Sequence, residues 1–172
     1  MKIMGSGTPR RRHLIPPLTG AAVLLAMALT GPVAGWAQCA PGPFHPRTLA
    51  SEYGFPDLVD RLEHAIKANG MIQIAKASAS AAASARGVKI PGDAVLMVFR
   101  NDFAVRMLHA DAAAGLDAPI PIHVFETANG KASLAYRRPS AVFKAYCNAD
   151  LDLMARELDT IFDRIAGASV NE

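Results

Sequence analysis

From Arg47 onward the chain alternates segments of helical and strand periodicity. "RTLASEY" is short enough for one strand, and in "GFPDLVDRLEHAIKANG" Leu58, Leu62, Ala65 and Ile66 fall on one face, with Pro56 at the first helical position and Gly70 as terminator. "MIQIAK" alternates as a strand does. The tract "ASASAAASARG" reads as a weak helix ended by Gly87, or as a surface of small residues against which something packs. "DAVLMVFR" holds an unbroken apolar run, Ala94 to Phe99, which predicts a strand buried on both faces.

A helix follows, with Asn101 as N-cap, Asp102 in its first turn and Gly115 at its end. "APIPIHVFETANGKASLAYRRP" predicts a hairpin around Asn129–Gly130, the preferred pair for a two-residue type I′ turn. Counted outward from that turn, His123 faces Tyr136 on one side of the sheet. In "NADLDLMARELDTIFDRIAG", Asn148 caps a helix with an apolar stripe of Leu151, Met154, Leu158, Ile161, Phe162 and Ile165. The sum is an α+β domain over residues 47–168: a single, mostly antiparallel sheet backed by two main helices.

The first 37 residues do not fit that domain. "PRRRHL" supplies a basic start and "LTGAAVLLAMALTGPVAG" an apolar stretch broken by Gly and Pro, the plan of an export leader cleaved after Ala37 or, failing that, Gly35. The alternatives are a membrane anchor and, through Arg11 and Arg12, twin-arginine export. Once the leader is gone the protein is expected to be periplasmic or secreted and free of the membrane. Its removal takes Lys2, Arg10, Arg11 and Arg12, so that 18 basic residues become 14 against 15 acidic ones and the net charge passes from +3 to −1. Nucleic-acid binding loses its support with that change. Residues 38–46 form a Pro-rich tail.

Two cysteines, Cys39 and Cys147, are expected to pair in an oxidising compartment. A bridge over so long a loop stabilises by about 4 to 5 kcal/mol in the chain-entropy view. Free thiols or a lipid on Cys39 are the other readings, and Gln38 argues against the lipid.

Candidate chemistry gathers around the helix at Asn101. Asp102, Arg106 and His109 lie at i, i+4 and i+7 and share one stripe, either a solvated face or the edge of a groove in which Arg106 binds a carboxylate, helped by Arg100 and Arg137. His123, inside an apolar strand, needs a partner, and Tyr136 is the expected one. A haem or copper site built from His109 and His123 with Met107 is chemically conceivable, although the chain has no CxxCH. No GxSxG elbow is present and no Cys is placed with a His for nucleophilic catalysis. The reading is therefore a non-catalytic binder of a small ligand or partner protein, with no cofactor. The alternatives are a metal or haem protein and a purely structural homo-oligomeric module.

The order of elements, with Phe99 and Asn101, Met107, Leu116 to Pro119, Glu126 and Gly130, and Tyr136 with Pro139, resembles the bacterial family known as domain of unknown function 302. The likeness runs from about Arg47 to Ala166. It implies a compact α+β fold, a saddle-like single sheet backed by two helices, and a homodimer; it implies no activity. The sequence departs from the family pattern at "KASAS", where many members carry an Asp and His pair, and at Arg100 to Asp102, where many have Gly-Asn-Pro.

Overall fold

A computed structural model describes residues 45–171. The expected leader, the Pro-rich tail as far as Phe44, and Cys39 lie outside these residues, and so does one end of the expected Cys39–Cys147 bridge. Five strands, β1 (Arg47–Ala50), β2 (Ile72–Ala77), β3 (Asp93–Phe99), β4 (Ile120–Glu126) and β5 (Ala132–Tyr136), form one sheet in the order β1-β5-β4-β3-β2. Every neighbouring pair is antiparallel. Between and after the strands come α1 (Phe55–Ala68), α2 (Ala79–Ser84), α3 (Asn101–Ala110), α4 (Pro139–Phe143) and α5 (Ala149–Val170). The fold is α+β, as the periodicities predict.

Helices α1 and α5 cover one face of the sheet. Leu58, Leu62 and Ile66 of α1 and Leu151, Met154, Leu158, Phe162 and Ile165 of α5 meet Leu96, Val98, Ile122, Val124 and Leu134 in one core. Both predicted apolar stripes are buried. The helix ends are tied by tertiary contacts. Arg61 of α1 donates to the backbone oxygens of Ser169 (2.9 Å) and Asn171, placing a cation at the negative end of α5, and its guanidinium lies 4.1 Å above the Tyr53 ring. Asp163 of α5 accepts from Tyr136 (2.6 Å), Arg138 (3.0 Å) and Arg47, joining β1 and β5 to the last helix.

Five expectations need correction. Strand β3 is not buried on both faces: Ala94, Leu96 and Val98 are buried, while Val95, Met97 and Phe99 are only partly so, because no helix covers their side. Helix α3 starts at Asn101 with Arg100 as its cap residue, and it stops at Ala110 instead of Gly115. The side chain of Asp111 accepts from the Ala113 amide (2.8 Å) and starts a separate 3-10 turn, Ala112–Asp117, a local bond that competes with helix continuation.

The hairpin is not a two-residue type I′ turn. Thr127 pairs with Lys131 through a 2.7 Å amide bond, the Gly130 amide bonds Thr127 at 2.9 Å, and only Gly130 (φ +78°) is left-handed. These are the marks of a three-residue loop, a type I turn followed by a left-handed glycine. Adding one residue to the loop changes the pairing parity, so Tyr136 faces Ile122 and His123 faces Ala135. His123 and Tyr136 therefore lie on opposite faces of the sheet.

Candidate functional site

The sheet face turned away from α1 and α5 is formed by alternate residues of the strands: Val95, Met97 and Phe99 from β3, Pro121, His123 and Phe125 from β4. All six are partly exposed. The polar centre is His123, whose Nε2 lies 2.7 Å from the Asp93 carboxylate, with the ring stacked on Phe125 at 5.1 Å. Asp93 sits one strand over, paired with Phe125, so the contact is diagonal across β3 and β4. Its backbone is fixed by two serines of the small-residue tract: Ser78 donates to its carbonyl (2.7 Å), and Ser80 accepts from its amide (3.1 Å). Gly92 precedes it, its amide donating to Glu126 (2.7 Å), and a Cβ at Gly92 would lie 2.2 Å from the Phe55 ring. Only glycine fits there.

The α3 stripe is engaged within the domain. Arg106 forms two parallel hydrogen bonds with Glu157 of α5, at 2.7 and 2.8 Å, and these raise its pKa and lower that of Glu157. Asp102 pairs not with Arg106 along the stripe but with Arg100, which holds it at 2.7 and 3.0 Å and keeps that carboxyl below its ordinary value. Glu157 thereby fastens α3 to α5. His109 is exposed, beside Arg106, Asp150 and Leu153 in an open groove, and it makes no hydrogen bond or ion pair among the described residues.

Tyr136 is buried on the helical side, bonded to Asp163, and burial followed by that bond raises its pKa strongly. Arg137 is partly buried just after β5. The predicted residues thus separate into two groups. Arg100, Asp102, Arg106, His109 and Met107 belong to α3 and its start, in the helical layer, whereas His123 lies on the far side of the sheet. His109 and His123 do not converge, and the two-imidazole haem or copper site is not formed. Among the described residues no cluster of three or more His, Cys, Asp or Glu could hold a metal, and no helix is long and apolar enough to cross a membrane.

Sequence reasoning missed Asp93 and Glu157. Each acts on a residue it did single out, but at separations of 30 and 51 residues, where only strand pairing and helix packing bring the partners together.

Residues 47–168 match the family model described as domain of unknown function DUF302. The crystal structure of an uncharacterized conserved DUF302 protein from Bacillus stearothermophilus superposes with a TM-score of 0.66, covering 73% of this chain and 98% of the other at 17% sequence identity. At that identity the likeness bears on fold alone. No curated protein matches the chain.

Proposed function

The chain belongs to the DUF302 family, and on that premise we propose that it is an exported, non-catalytic binding domain which docks through its helix-free sheet face onto the same face of a second copy. The observation that carries the reading is the make-up of this face. Val95, Met97, Phe99, Pro121 and Phe125 give it a partly exposed apolar surface, and its central polar groups, Asp93 and His123, are hydrogen-bonded to each other within it. A two-fold mate would meet apolar side chains around a polar pair already bonded within its own face, which suits a self-complementary contact. Two such sheets can stack face to face at about 10 Å.

The absence of catalysis in this reading follows from how the reactive groups are spent. The outer nitrogen of His123 is taken by Asp93, Arg106 by Glu157 and Arg100 largely by Asp102. Export rests on the leader pattern in residues 1–37 and on the two cysteines.

Light scattering on a dilution series tests the docking. A particle of twice the chain mass is expected, falling to one chain mass in Met97→Asp with the circular dichroism unchanged. A single-chain mass for the unaltered protein at every concentration would sink the reading.

A further inference from the structure

A cavity of about 30 Å³ lies beneath α3, on the helical side of the sheet, with Phe99 at the end of β3 lining both it and the docking face. Its floor includes Met71, Met107, Met154 and Phe143, each no more than 5% exposed. Arg100 is the single polar residue in its lining, and at 30% side-chain exposure it forms part of the rim.

Two properties of this lining point to a ligand. A buried water needs two to four polar partners, and this floor offers none, so the space favours an apolar guest. Methionine is unbranched, with several rotatable bonds, and three of them can repack around a guest that exceeds the present volume. The rim supplies the complementary charge. The Arg100 guanidinium is held in place by Asp102, which takes Nε and Nη2, and by the Phe103 ring 4.2 Å away. Its Nη1 makes no hydrogen bond among the described residues and lies beside Gly70, 3.9 Å from where a Cβ would stand. Gly70 adjoins Met71 of the floor, so the unspent edge of the guanidinium fork lies next to the cavity lining.

We infer that this is a binding site for a short aliphatic carboxylate, its tail among Met71, Met107 and Met154 and its carboxylate on Arg100 Nη1. The present volume takes about one terminal methyl group, and the methionines make room for the rest. The inference does not depend on how the sheet face docks.

The test titrates the full-length protein, labelled at its methionine methyl carbons, with acetate, butyrate, hexanoate and octanoate, and with the matching alcohols as controls. Hexanoate is expected to shift the Met71, Met107 and Met154 signals, and affinity should rise roughly fourfold per added methylene until the floor is filled. Arg100→Gln should weaken carboxylate binding roughly tenfold or more while leaving the alcohols unaffected. Met107→Ile, which replaces an adaptable side chain by a branched one, should shorten the longest acid that binds. Methionine signals unmoved by hexanoate, equal affinity for acid and alcohol, or binding indifferent to Arg100→Gln would each overturn the assignment. Because sheet-face association is read separately by light scattering, its failure would not be mistaken for failure here.

Discussion

Asp93 and His123, 30 residues apart in the chain, meet at 2.7 Å through the carboxylate and Nε2. An ionised carboxylate only accepts, so in the neutral ring the proton resides on Nε2, and Nδ1 keeps the lone pair. Long-range proton–nitrogen correlation should report the Nε2–H tautomer for the neutral ring of His123. Asp93→Asn should redistribute the tautomers at a stability cost of no more than about 1 kcal/mol, since both side chains are over a third exposed. Finding Nδ1–H in the unaltered protein would contradict the pair.

The hairpin loop makes a sharp prediction. Gly130 has φ +78° and open space around the position of a Cβ, so Gly130→Ala meets no clash and its cost is conformational alone, about 1–2 kcal/mol. Asn129 needs no left-handed backbone in this loop, whereas a type I′ turn would require one. Backbone dihedrals from chemical shifts should therefore give a negative φ at Asn129.

Core and surface apolar residues should behave very differently. Phe162 is fully buried, with its ring 5.7 Å from Tyr136, and Phe162→Ala should cost about 3–5 kcal/mol in urea unfolding. Leu116 is 89% exposed, and Leu116→Ala should stay within about 0.5 kcal/mol. A large loss at Leu116 would mean that it is covered in solution.

Titration should separate acid and alkaline effects. Burial and then the Asp163 bond raise the Tyr136 pKa well above the ordinary phenol value, and the bond to Asp117 pushes Tyr146 up to about 12. A raised pKa contributes stability that is intact below the unfolded value, about 10, and is lost as pH climbs through the folded one. The phenolate absorbance of two of the three tyrosines should therefore appear late, with the stability falling above pH 10. Asp102 and Glu157 have lowered values, so their contribution is intact above the ordinary carboxylate range and fades as pH drops through the folded values. Tyr136→Phe should remove the latest phenolate step.

We expect the mature chain to begin at Gln38 and to gain two hydrogens on reduction, through opening of a Cys39–Cys147 bridge. Intact mass with and without reductant measures both. A lipid on Cys39, or a mass that reductant leaves unchanged, would refute the pairing.

The long stripe of α5 was legible because its period is local: Leu151, Met154, Leu158 and Phe162 recur at helical spacing whatever surrounds them. The face on which His123 lies was not. Asn129–Gly130 suits both a two-residue turn and a three-residue loop, and one residue of difference exchanges the two faces of β4 relative to β5. The buried set Ile122, Val124, Leu134 and Tyr136 decides between them, through packing against helices distant in sequence. Arg106 was recognised as a residue that grips carboxylates. Its partner, Glu157, could not be, since nothing in the α5 pattern marks which exposed acid will lie beside α3.

The clasp at Asp163 bears on how the molecule is made. Arg47 lies in the first strand and Asp163 near the end of the last helix, with Tyr136 and Arg138 between them. A growing polypeptide that has not yet released α5 has neither the anchor for β1 nor half of the apolar layer under the sheet. Native structure must therefore await the release of α5, and until then the strands lack a covering layer and stay open to chaperones.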